Sequence, residues 1–197
     1  MWHMDVSLKI SAYAIRPWQC LSFLPNKLTK PLEPLPNTSP NKRDRFRSRT
    51  TKLSAAQKDA VDAFFRDDLL ETTQIVVLEN VRIGNPDFYA MLQGMGFSNL
   101  PDFARMAAVT FNDVVVSHEP FSKGLLFHEF VHAEQYRQLG VPRFAELCVR
   151  GFLNGGGYDG IPLEINAYEL GSRFEEQPER AFSVEAEVAS WIRQDRF

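Results

Sequence analysis

The chain has 197 residues, of which 44% are hydrophobic and 24% charged, and its formal net charge is -3. That length suits one domain, with or without an extension, and the composition is that of an ordinary globular protein, not of a disordered or fibrous one. The charge names no polyanionic partner, no apolar run is long enough for a membrane span, and the first residues lack the basic start and compact apolar block of a secretory signal, so a cytoplasmic location is expected.

Residues 1–40 hold six of the twelve prolines (Pro17, Pro25, Pro31, Pro34, Pro36 and Pro40), a density that neither a helix nor a central strand tolerates. An extended arm is expected there, with a short strand over residues 6–15. Lys42, Arg43, Arg45, Arg47, Arg49 and Lys52 then gather around a single acid, Asp44. With one aromatic in the run, a solvated linker is expected, not a nucleic-acid contact. Cys20 and Cys148 lie far apart and make no CxxC, which indicates neither a disulfide framework nor a zinc knuckle.

Ser54 and Gln57 have the spacing of a capping box, and Val61, Phe64, Phe65 and Leu69 recur at helical intervals, so a helix is expected over 54–70. Residues 73–78 are β-branched and read as a strand, prolonged through 81–83 and ended by Gly84, Asn85 and Pro86. A short helix is expected over 86–92. Two β-rich runs, 106–111 and 114–118, flank Asn112 and Asp113 and make a hairpin. Ser122 caps the next helix, which stops at Gly140; Pro142 opens another, and a Gly-rich loop over 154–160 leads to a helix begun by Pro162. A last helix is expected over 178–193. The division is therefore a Pro-rich and then basic arm over 1–53 and an α+β domain over 54–197.

The hairpin leads into His128-Glu129-Phe130-Val131-His132, an HExxH pattern. On a helix the two imidazoles, four residues apart, share one face and reach one tetrahedral ion, while Glu129 addresses its water. The flanking residues are strongly apolar, and a buried helix carries such groups only where something satisfies them. No histidine follows His132, so the third ligand is a carboxylate: Glu164, on the helix begun by Pro162, with Glu169 as the competitor. Tyr158 is the leading candidate for an oxyanion donor, with His118 and Tyr168 as alternatives. Gln135 and Tyr136 continue the ligand helix, where they either orient a ligand or pack, and packing is the expected role.

HEFVHAEQYRQLG followed by YDGIPLEINAYEL resembles the gluzincin type of zinc metallopeptidase, and within it the small bacterial zincin-like domains that read HExxHxxQY and then PxExxAY. The resemblance covers about residues 106–176. It implies a mainly helical zincin-like fold with a small sheet ahead of the HExxH helix, one zinc ion per chain held by His128, His132 and Glu164, Glu129 as general base, and a peptide or protein substrate. Thermolysin-like members hold a histidine with an acidic residue about one turn after the glutamate ligand; Ala167 stands there instead, and the support must come from elsewhere. The alternative is a non-catalytic zincin-like domain that serves in binding or assembly.

Overall fold

The computed structural model describes residues 42–85, 89–94, 100, 102–155 and 157–197. The Pro-rich arm, including the strand expected over 6–15 and Cys20, lies outside them, as do residues 86–88 of the helix expected over 86–92.

Helix α1, Lys42–Arg47, opens the described chain. Arg43 pairs with Asp113 through two guanidinium contacts, the ring of Phe46 stacks on Phe111, and Thr51 and Ile75 exchange two backbone hydrogen bonds of 2.8 and 2.9 Å. The stretch expected to be a solvated linker is thus docked on the sheet, because an acid and an aromatic ring of the hairpin meet its Arg43 and Phe46.

Ser54 and Gln57 form the expected capping box, yet helix α2 covers only Ala55–Asp59. The Phe64 carbonyl accepts from Val184 N–H, 3.1 Å away, a bond to a distant segment of the chain. Helix α3 resumes at Asp67–Thr72. The apolar residues chosen for their helical spacing still serve the core: Val61, Phe64, Phe65 and Leu69 are all buried.

Strand β1, Gln74–Val77, stops short of the expected extension over 81–83, since Asn80 turns the chain with φ of 56°. Helix α4, Tyr89–Gly94, and a 3-10 turn, Phe103–Arg105, precede the hairpin of β2, Ala108–Phe111, and β3, Val114–Ser117. The hairpin is as expected, with Asn112 at φ of 60° in its two-residue turn. The position of β1 was not legible from local sequence: it lies parallel to β3, so the sheet runs β1-β3-β2. Ile75, Val115 and Thr110 are register partners in one row across it.

Helix α5 spans Lys123–Asn154, capped by Ser122, whose hydroxyl accepts from Leu125 N–H at 3.1 Å. It is two helices joined at Gly140, where φ of 70° and ψ of 159° break the ladder as the Gly140 and Pro142 pair leads one to expect. A 3-10 turn, Tyr158–Gly160, leads to α6, Pro162–Glu176, with Pro162 in its first turn. The last helix, α7, covers Val184–Arg193 and is capped by Ser183, so it starts later than expected.

The sheet separates two cores. One face, with Ile75 and Val115, meets α5, α6 and α7 in the larger core, where Phe127 stacks on Phe174 at 4.3 Å and Phe64 and Phe182 close around them. The other face, with Val109, Phe111, Val114 and Val116, packs against Tyr89, Phe103 and Met106. Each fully buried Phe or Leu contributes about 1.5–3 kcal/mol. Cys148 is buried in the larger core and is not a free thiol, a state that the cysteine spacing did not indicate. The coarse class, α+β with mostly helix, is as the sequence led us to expect. No helix among the described residues is long and apolar enough to cross a membrane.

Candidate metal centre

The first half of α5 lies across the larger core, and its apolar flanks bury the whole of Leu125 to Tyr136. That burial carries polar groups with it: His128 is 4% exposed, and Glu129 and His132 are 0% exposed. Helix α6 brings Glu164, 1% exposed, against them. Its approach is close because Gly151 of α5 has no side chain; a Cβ there would stand 2.6 Å from Pro162 Cδ and 3.0 Å from Ile161 Cα. Pro162 starts α6, so this contact sets where Glu164 enters the core.

The ligand atoms converge. His128 Nε2 lies 3.1 Å from His132 Nε2, and Glu164 Oε2 lies 3.2 Å from the latter and 3.5 Å from the former. Ligands held at the 2.0–2.1 Å typical of zinc in a tetrahedral site stand about 3.3 Å apart, so this triangle has the size one ion requires. Glu164 approaches both rings at ion-pair distance, and both its oxygens are buried. Two buried carboxylate oxygens in that condition are costly unless a cation meets them. His128, His132 and Glu164 therefore form a group that could hold a metal ion. Glu169, the competing ligand, is exposed on α6 and faces Arg196 at 3.8 Å.

The electrostatics agree with the donor set. Burial pushes the Glu164 carboxyl up, but the charge and hydrogen-bonding capacity of His132 and His128 outweigh it and hold the group below the usual carboxylate range. Burial likewise works against protonation of His132, and the Glu164 carboxylate reverses the balance, so its pKa is raised. For Glu129 burial prevails over the two imidazoles and the Thr110 hydroxyl, and its carboxyl is raised. Thr110 Oγ1 lies 2.7 Å from Glu129 Oε2 and 3.2 Å from the Glu129 carbonyl oxygen. The row Ile75, Val115, Thr110 turns that hydroxyl toward α5, where its neighbours in the row meet the larger core.

The three candidate oxyanion donors occupy different places. Tyr158 is buried, its hydroxyl beside the Glu164 carboxylate and the Tyr168 hydroxyl. Tyr168 is 38% exposed, with its ring 4.8 Å from that of His128. His118 is committed to the fold: its Nε2 accepts from Ile83 N–H at 2.9 Å and its Nδ1 lies 2.6 Å from Met106 O. It latches the segment after β1 to the hairpin and presents no free nitrogen.

One partner of the centre, Thr110, escaped the sequence reading, and a second, Gln135, had the less expected of its two roles. Thr110 sits on the correct face by strand alternation, but which face meets α5 is fixed by the parallel pairing of β1. Gln135, expected to pack, lies 2.8 Å from His132 Nδ1 and donates to Leu163 O and Asn166 Oδ1, both at 2.9 Å. Its place three residues after His132 was the available signal.

No known protein family matches the chain, and no significant match is found among curated proteins or solved structures.

Proposed function

We propose that the protein is a zinc-dependent metallopeptidase of the gluzincin kind, with the zincin-like fold that its HExxH and glutamate motifs imply. The observation that supports this most is the convergence of two Nε2 atoms and one carboxylate oxygen, with Glu129 next in sequence to one ligand and carrying a raised pKa. His128, His132 and Glu164 would hold the ion. When bound, zinc supplies Lewis acidity, which lowers the pKa of a water molecule toward neutrality and polarises a carbonyl.

Glu129 is the general base, and its raised pKa suits a group that takes a proton from water and returns it to the leaving amine. Thr110 holds one Glu129 oxygen. Tyr158 and Tyr168 stand at the His128 and Glu164 side of the centre, and Tyr158, through its hydroxyl, is our choice of donor to the developing oxyanion, with Tyr168 beside it. An extended peptide or protein is the proposed substrate.

A second reading rests on a specific observation, the burial of all four groups to 4% exposure or less. Structural zinc sites are closed, whereas catalytic ones keep an open position. A non-catalytic metal-holding domain used in binding or assembly would be built that way.

Two measurements decide. Elemental analysis of the wild type beside His132→Ala and Glu164→Ala is expected to give about one zinc per chain in the first and none in the variants. Cleavage of a mixed peptide library is then expected from the wild type and not from Glu129→Gln. Zinc without cleavage by the wild type would move the reading to the non-catalytic domain.

A further inference from the structure

Gln135 is fully buried, where an amide side chain is costly unless its hydrogen-bonding groups are used. Its Nε2 faces the Leu163 carbonyl, which can only accept, and this fixes the orientation of the amide. Oε1 is thereby left facing His132 Nδ1 at 2.8 Å, so that nitrogen must carry the proton and donate. The remaining nitrogen, Nε2, is the one that points at His128 and Glu164. The amide's other end holds α6 on both sides of the third ligand, through the carbonyl of Leu163 and the side chain of Asn166.

We propose that Gln135 is a positioning residue for the metal centre, fixing His132 with Nε2 toward the ion and tying that ring to the helix segment that carries Glu164. The inference rests on the metal-centre reading given above. The histidine is then oriented from its own helix, three residues on, and one amide sets the placement of ligands from both helices. Groups that orient a ligating histidine in this way tune its affinity for the metal, and losing one typically weakens binding about 10–100-fold.

The test is zinc affinity by chelator competition, with the visible spectrum of the cobalt-substituted protein as second readout, for the wild type, Gln135→Met and Gln135→Glu. Gln135→Met keeps the length of the side chain and removes its polar atoms; it is expected to bind zinc about 10–100-fold more weakly and to shift the cobalt bands. Gln135→Glu keeps an acceptor for His132 Nδ1–H and is expected to recover most of that loss. A measurement on the wild type alone covers the case in which the variants do not fold. In the zinc-loaded protein, nitrogen NMR is expected to place the His132 proton on Nδ1, slow to exchange, with the metal on Nε2. Unchanged affinity and spectrum in Gln135→Met, or metal on Nδ1, overturns the assignment and leaves the metal centre standing. No zinc or cobalt uptake by the wild type overturns both.

Discussion

The two cores on either side of the sheet are built from the same kinds of apolar residue, and among the described residues only the larger one holds charge. The smaller core is aliphatic and aromatic, with Tyr89, Phe103, Met106 and Phe111 against Val109, Val114 and Val116. The larger core carries His128, Glu129, His132, Gln135, Glu164 and Asn166 at 4% exposure or less. Burying such groups costs several kcal/mol for each uncompensated ion, so a fold retains them only where they satisfy one another or await a partner. The difference separates a core that only holds the molecule together from one that also carries the groups we assign to chemistry.

That comparison can be broken most sharply at Glu129. Glu129→Gln is isosteric and keeps an acceptor for Thr110, so it is expected to abolish peptide cleavage while metal content and folding stay at wild-type levels; turnover that persists would remove Glu129 from its role. On the apolar side, Phe103→Ala should cost about 3–5 kcal/mol in urea unfolding and leave metal affinity unchanged. A parallel loss of metal would mean that the cores are not independent. Gly151→Ala acts between these extremes, because its methyl group meets Pro162 and pushes α6 outward. It is expected to destabilise the fold by about 1–3 kcal/mol and to weaken zinc binding as well, read from the same unfolding curves and a chelator titration.

Two smaller effects follow pH. His132 must be neutral to ligate, and Glu164 raises its pKa against the opposing pull of burial. Metal affinity is then full above that raised value and falls as pH drops through it, which competition titrations at several pH values would resolve. His118 behaves in the opposite sense, since burial lowers its pKa from the ordinary value of 6.5 and its Nε2 accepts a backbone N–H. Its contribution to stability is present above pH 6.5 and is lost as pH falls through the lower folded value. Urea midpoints of wild type and His118→Asn should therefore converge toward acid; a constant gap would show that His118 does not titrate with folding.

Much of the centre was legible because its constraints are local. Four-residue spacing puts His128 and His132 on one helix face wherever that helix goes, and Pro162 followed by Glu164 marks a second helix with an acid in its first turn. Glu164 and Glu169 could not be separated in that way, since both lie on α6, and only packing shows that one faces the imidazoles and the other Arg196. The helix expected over 54–70 failed for a related reason. Its apolar spacing is real, yet the Phe64 carbonyl bonds to Val184, a residue that local sequence cannot bring near.

What the sequence by itself determined is the set of local elements whose signals lie within a few residues: the capping box at Ser54, the Asn112 turn, the Ser122 cap, the break at Gly140 and the HExxH face. Only the tertiary structure decided how those elements meet. The parallel pairing of β1 with β3 fixes which face carries Thr110 to Glu129, the bare backbone at Gly151 lets α6 close on α5, and Gln135 becomes a tie between helices instead of a packing residue. The physical reason is that spacing along the chain sets a side chain's direction on its own element, whereas the cost of burying a polar atom is settled only by what the rest of the fold places opposite it.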